Sequence, residues 1–124
     1  MKRAVLVGFS DESAVCMLDK GNSQIKGVIR FCSITKNDPG VVIDGVIDGL
    51  KPKEQHSLNI CEFGDVSNGC ENLGKVFNNS NYKVSSDATG RATLRTVDDN
   101  LKVSDLIGRS MKISSVNKTI GYGI

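Results

Sequence analysis

Residues 56–70, HSLNICEFGDVSNGC, decide the fold of this 124-residue chain. Apolar Leu58 and Ile60 alternate with Asn59 and Cys61, which is the two-residue period of a half-buried β-strand. The letters that follow, EFGDVSNGC, are rich in glycine and asparagine and predict a loop. The stretch therefore predicts one strand that passes directly into a polar loop.

Short β-type runs lie on both sides of this stretch, separated by turn signals. They cover residues 14–18, 24–32, 41–50, 82–85, 91–97, 109–113 and 119–124. No segment has a sustained helical period, although residues 101–106 could form one helical turn or a loop. About eight strands with 13 glycines predict an all-β domain, an eight-stranded antiparallel Greek-key β-sandwich or barrel.

Composition and charge exclude several classes of protein. Hydrophobic residues make up 39% and charged residues 24% of the chain, which is typical of one globular domain, and no apolar run is long enough to cross a bilayer. The net charge of +2 is small and the basic residues are scattered, so no nucleic-acid or membrane partner is expected. We expect residues 1–12 to be a linker or edge segment and residues 13–124 to be the domain. The start shows no clear signal-peptide cleavage site, and we expect a cytoplasmic protein.

The chain has four cysteines, at positions 16, 32, 61 and 70, without the spacing of a zinc knuckle or thioredoxin-type site. Cys16 and Cys32 lie within apolar runs, and we expect both to be small core residues. A metal site built on Cys61, Cys70 and the single histidine, His56, is conceivable because thiolate and imidazole suit zinc and copper(I). A strand would however place His56 and Cys61 on opposite faces.

Several short motifs together resemble the copper/zinc superoxide dismutase family. They are GVIRF at 27–31, GVIDGL at 45–50, EFGD at 62–65, GC at 69–70, TGRA at 89–92 and IGRS at 107–110. Residues 101–110 and the lead-in at 3–9 are similar to the copper chaperones for superoxide dismutase. In those proteins such a lead-in joins a copper-binding domain to a middle domain shaped like the enzyme. The resemblance implies that the chain is that superoxide dismutase-like middle domain.

The resemblance also implies that the metal ligands of the enzyme are lost. The copper-binding histidines fall at Asn59, Cys61 and about Ser114, the bridging histidine falls at Val76, and the zinc-binding aspartate falls near Ser80. Amide, valine and serine cannot replace several imidazoles around a redox-cycling copper. We therefore expect no metal cofactor and no dismutase activity.

The loop cysteine of the family falls at Cys70, and its disulfide partner falls near Thr119, which has no thiol. The resemblance thus implies that the family's intrachain disulfide cannot form. A free Cys70 and a mixed disulfide with a partner are the remaining alternatives, and we expect the free thiol.

The dimer surface of the family is better preserved than its metal site. Carried over to this chain, its positions are Val15, Met17, Phe63, Gly64, Asp65, Ser67, Ile107, Gly108 and Ile124. Glycines permit close backbone approach at a two-fold contact. The alternative is that Val15, Met17 and Ile107 are buried core residues. Phe63 lies in a polar loop, where an exposed anchor is expected.

Three functional hypotheses follow. The first is a non-catalytic module that docks copper/zinc superoxide dismutase, or itself, as a heterodimer or homodimer, and supports copper delivery. The second is a viral dismutase-like decoy that has lost its metals and binds the host chaperone. The third is an enzyme with a residual metal site at Cys61, Cys70 and His56.

Overall fold

The computed structural model describes residues 13–21, 24–35, 38–65, 67, 72–115 and 118–124. The predicted linker or edge segment at 1–12 lies outside the described residues, and so does Cys70. Within the part that is described, no helix has the length and hydrophobicity that a membrane crossing needs.

The described residues form eight β-strands and two short 3-10 turns. In chain order the strands are β1 (Ser13–Gly21), β2 (Lys26–Ser33), β3 (Val41–Asp48), β4 (Gln55–Cys61), β5 (Tyr82–Ser85), β6 (Ala92–Asp98), β7 (Ser110–Ser115) and β8 (Lys118–Gly123). The turns are Phe77–Asn79 and Val103–Leu106. The predicted all-β class is confirmed, and the second turn falls within the segment for which the sequence left a helical turn or a loop open.

All strand pairs are antiparallel, and the strands are ordered β5-β4-β7-β8-β1-β2-β3-β6 in one sheet. The sheet curls into a nearly closed barrel, in which the two edge strands, β5 and β6, approach each other. The Tyr82 hydroxyl on β5 donates a hydrogen bond to Asp98 Oδ2 on β6 at 2.6 Å. The connections from β3 to β4 and from β6 to β7 join strands that are not neighbours, as in a Greek key.

Alternate side chains of each strand face the barrel interior. On β1, Ala14, Cys16 and Leu18 are buried while the residues between them face outward. The core also contains Leu58 and Ile60 of β4, as their alternation in the sequence predicted.

The prediction that Cys32 is a core residue is wrong. Ile29 and Phe31 of β2 point into the core, so the strand period places Cys32 outward, where its side chain is exposed. Cys16 is buried, as predicted.

Candidate functional site

Hydrogen bonds join the start of the loop after β4 to residues 73–75, near the end of the same loop. The Glu62 N–H donates to the Lys75 carbonyl at 2.9 Å, and the Phe63 N–H donates to the Leu73 carbonyl at 2.8 Å. The Glu62 carboxylate in turn accepts the Lys75 N–H at 2.9 Å. These contacts fix the backbone just after β4 although the loop is long and polar.

Phe63 combines a fixed backbone with an exposed ring. The Ser110 hydroxyl at the start of β7 donates to the Phe63 carbonyl at 2.6 Å. One side of the ring lies against Gly74, where an added Cβ would be 2.6 Å from Phe63 Cδ2. The side chain is still 56% exposed, in the position expected of an anchor.

Gly64 brings three segments of the chain together. A Cβ at Gly64 would lie 2.9 Å from the Gly108 carbonyl oxygen and 3.3 Å from Ile124 Cγ2. Gly108 has a left-handed backbone, with φ of +81°, and Ile107 beside it is 59% exposed. Ile124 is only 8% exposed, so it supports this surface from beneath.

Asp65 shapes the next turn of the loop. Its Oδ1 accepts hydrogen bonds from the Ser67 N–H at 3.0 Å and from the Ser67 hydroxyl at 2.5 Å. These hydrogen bonds hold the pKa of the Asp65 carboxyl below its ordinary value. Asp65 and Ser67 are both exposed beside Phe63.

Strand β1 adds the last exposed apolar side chain. Met17 is 42% exposed and Val15 is half-buried, so the alternative that these residues and Ile107 are buried core does not hold for Met17 or Ile107. Leu18 of β1 pairs with Gly123 of β8, next to Ile124. We use the name Phe63 face for the exposed members of this set together with the half-buried Gly64 between two of them: Met17, Phe63, Gly64, Asp65, Ser67, Ile107 and Gly108.

The positions that the resemblance assigns to copper ligands of the enzyme lie on β4, on β7 and just before the Phe77–Asn79 turn. Asn59 and Cys61 are on β4, Val76 forms an isolated bridge with Cys61, and Ser114 on β7 pairs with Ser57. The Asn59 side-chain amide donates to the Ser80 carbonyl at 2.7 Å.

Ser80 has a role that the sequence did not suggest. Its buried hydroxyl accepts the Ile60 N–H at 2.8 Å and donates to the Ile60 carbonyl at 3.2 Å. A serine between two asparagines resembles an ordinary turn residue, so no local pattern indicates that it is buried against β4.

The structure separates His56 from Cys61, two of the three residues of the conceivable Cys/His metal site. His56 is buried on the core side of β4, with Nε2 3.7 Å from Glu54 Oε1, and Nδ1 has no hydrogen-bond partner among the described residues. Cys61 is buried on the opposite side of the strand, and Cys70 lies outside the described residues. No group of three or more His, Cys, Asp or Glu side chains that could hold a metal ion occurs in the described ranges.

Arg109 is a second residue that sequence reasoning missed. Its Nε donates to the Asp105 carbonyl at 2.6 Å and its Nη1 donates to the Glu62 carbonyl at 3.1 Å. The guanidinium carbon lies 3.6 Å from the centroid of the Phe77 ring.

A nearly closed eight-stranded Greek-key barrel with this loop after β4 defines a class of protein. The family described as copper/zinc superoxide dismutase matches residues 25–121, and the chain belongs to that family.

More particularly, the chain is similar to proteins named copper chaperone for superoxide dismutase. It is 35% identical to the one from Sus scrofa, over 98% of this chain and 51% of the relative, and 35% identical to the one from Homo sapiens, over 90% of this chain and 45% of the relative. The chain thus spans about half the length of the curated relatives it matches. The family resemblance seen in the sequence is confirmed.

A solved structure supports the fold independently. The crystal structure of the clock protein EA4 superimposes with a TM-score of 0.76, covering 96% of this chain and 97% of that chain at 22% sequence identity. At this identity the likeness concerns the fold alone, and it agrees with the predicted dismutase-like barrel.

The residues at Asn59, Cys61, Val76 and Ser114, four of the five assigned ligand positions, do not fit a copper or zinc centre. Imidazole and thiolate are the usual protein ligands of these ions. Val76 has no donor atom, and Ser114 offers only a hydroxyl. The Asn59 side chain is a neutral amide whose nitrogen donates a hydrogen bond to the Ser80 carbonyl. Only Cys61 carries a suitable group, and it is fully buried.

Proposed function

We propose that this domain is the non-catalytic, superoxide dismutase-like domain of a cytoplasmic copper chaperone. It docks copper/zinc superoxide dismutase, or a second copy of itself, through the Phe63 face, and it supports copper delivery by other parts of the chaperone. The similarity to copper chaperones for superoxide dismutase supports the proposal. Because this chain covers about half of those relatives, the transfer of copper is assigned to the remainder.

The observation that carries the proposal is the exposure of three large apolar side chains, Met17, Phe63 and Ile107, among the positions that the resemblance assigns to the dimer surface. Burying a Phe, Met or Ile side chain fully is worth about 1.5–3 kcal/mol, so a partner that covers them gains substantially. An added Cβ at Gly108 would meet nothing within 4 Å, so the backbone there is open to the close approach of a second backbone.

The lost ligand set supports a role in contact instead of turnover. A redox-cycling copper site needs several converging imidazoles, and the assigned positions supply an amide, a thiol, an isopropyl group and a hydroxyl. These substitutions leave the barrel and the loop in place. The fold is then retained for the surface that it presents.

The decisive variant is Phe63→Glu. It places a charge at the centre of the face, and because the ring is exposed in the isolated domain, the fold should be unaffected. We expect the dissociation constant for superoxide dismutase, or for the homodimer, to rise at least about tenfold in sedimentation experiments.

The matched control is Ile34→Glu, which changes a side chain that is also 56% exposed but lies in the bend after β2. Both variants should unfold at the wild-type denaturant concentration, and only Phe63→Glu should associate weakly. Association of Phe63→Glu at wild-type strength would refute the proposed face.

The two other hypotheses make different predictions. A viral decoy would bind an intact copper chaperone in preference to the enzyme, which the same sedimentation experiment can compare. A residual enzyme would contain stoichiometric zinc or copper, whereas we expect metal analysis of the purified protein to find far less than one ion per chain.

A further inference from the structure

We propose that Arg109 is a positioning residue of the Phe63 face, holding the loop after β4 in the orientation that a partner recognises. This inference rests on the proposed docking function. It concerns a residue that is not itself a member of the Phe63 face.

The Arg109 side chain connects three separate segments. Its guanidinium donates to the Asp105 carbonyl in the Val103–Leu106 turn and to the Glu62 carbonyl in the loop after β4. Its flat side stacks on Phe77 in the Phe77–Asn79 turn. The three segments are separated by 15 or more positions in the sequence, and this one side chain contacts all of them.

Arginine is suited to this position by its shape. The guanidinium is planar and carries five N–H donors, so it can donate in two directions while its face stacks on an aromatic ring. Stacking of a cation on a ring adds electrostatic attraction. A lysine has a compact ammonium and cannot make all three contacts at once.

The contacts of Arg109 act directly on the backbone of the face. Arg109 binds the carbonyl of Glu62, and the next residue, Ser110, binds the carbonyl of Phe63. These two bonds fix consecutive peptide groups, which orient the Phe63 side chain. Ile107 precedes Arg109 by two residues, so the same anchor limits how far Ile107 can move relative to Phe63.

The barrel itself depends less on Arg109. The residue precedes the first residue of β7 and is half-buried, outside the set of buried core side chains. Removing its guanidinium should therefore loosen the loop while the strands remain paired. This separation of effects makes the inference testable.

The test compares Arg109→Met and Arg109→Lys with the control Arg91→Met. Arg91 also makes two hydrogen bonds, to Asp48 at 2.7 and 3.1 Å, but on the strands β3 and β6 side of the barrel. We expect Arg109→Met to raise the dissociation constant for superoxide dismutase, or for the homodimer, about tenfold. The same variant should shift the amide NMR signals of Gly64 and Asp65. Arg109→Lys should recover only part of the affinity, and Arg91→Met should associate as the wild type does.

A double variant separates positioning from direct contact. In the Phe63→Glu background, Arg109→Met should weaken association little further, because both changes act through the same loop. Full additivity would mean that Arg109 acts independently of Phe63, which contradicts a role in positioning it. If Arg109→Met does not fold, Phe77→Leu provides the second measurement, and wild-type affinity of that variant would overturn the inference.

The outcomes distinguish this inference from the proposed function. If Phe63→Glu has no effect on association, the docking face is wrong. If Phe63→Glu weakens association and Arg109→Met does not, the face stands and only the positioning role of Arg109 is lost.

Discussion

Phe63 shows how a single side chain can be exposed and yet ready to bind. Its N–H donates to the Leu73 carbonyl, and its own carbonyl accepts the Ser110 hydroxyl, so the backbone is fixed on both sides of the residue. The ring packs on Gly74 on one side only. A side chain whose backbone is already ordered loses less conformational entropy on docking, which favours affinity.

The thiols give a prediction at the same scale. Burial, followed by the nearby Asp19 charge, raises the pKa of the Cys16 thiol to about 12, whereas Cys32 is exposed on the outer face of β2. Because the thiolate is the reactive form, Cys32 should alkylate in the folded protein and Cys16 should not, even at pH 9 where an ordinary thiol is about half ionised. Peptide mass spectrometry after labelling measures this, and denaturant should make Cys16 reactive. Equal labelling rates of the two thiols in the folded protein would contradict the burial of Cys16.

Individual residues were predicted from the sequence with uneven success. Phe63 was expected to be exposed because a large aromatic stands in a polar loop, and it is. Cys32 was placed in the core because its neighbours are apolar, although the strand period turns it outward. The roles of Ser80 and Arg109 arise from contacts with residues 20 and 47 positions away, which no local pattern encodes.

At the scale of elements, the connection between β4 and β5 is fastened by hydrogen bonds. The Ser80 hydroxyl binds both the N–H and the carbonyl of Ile60, and the Asn59 amide binds the Ser80 carbonyl. The end of the connection is thereby attached to β4 near the carboxyl-terminal end of that strand.

Ser80→Ala tests this attachment. The change leaves the buried Ile60 N–H without its partner, so we expect the free energy of unfolding to fall by about 1–3 kcal/mol. The control is Ser57→Ala, which removes a half-buried hydroxyl from β4. That hydroxyl accepts a hydrogen bond from Lys83 Nζ at 3.4 Å, and its loss should lower the free energy of unfolding by less than about 0.5 kcal/mol. Chemical denaturation measures both variants. An equal effect of the two substitutions would show that Ser80 does not fasten the connection.

The elements themselves were largely predictable, because alternation and turn residues are local. The β-branched run that became β3 and the short run that became β5 were both recognised as strands. The return of the loop along residues 72–75 was not, because its partners Glu62 and Phe63 lie more than ten positions earlier. Which strands become neighbours also depends on the whole barrel.

At the scale of the whole molecule, the barrel brings three segments that are distant in the sequence together on one surface. The loop after β4, the segment before β7 and Ile124 after β8 meet at Gly64, since a Cβ there would contact Gly108 and Ile124. Two-fold dimers bury the same patch on both subunits, so one such patch can serve a homodimer and a heterodimer of similar folds. The family resemblance, and not the strand pattern, suggested this patch from the sequence.

The most direct test of the account measures the association of this domain with copper/zinc superoxide dismutase by sedimentation. The domain is first stripped of all metal with a chelator, and the chelator is then dialysed away. We predict that sedimentation detects a one-to-one complex with the same dissociation constant before and after this treatment, and that Phe63→Glu weakens it at least about tenfold. A complex that forms only when the domain carries copper or zinc, or that forms equally well with Phe63→Glu, would contradict the account.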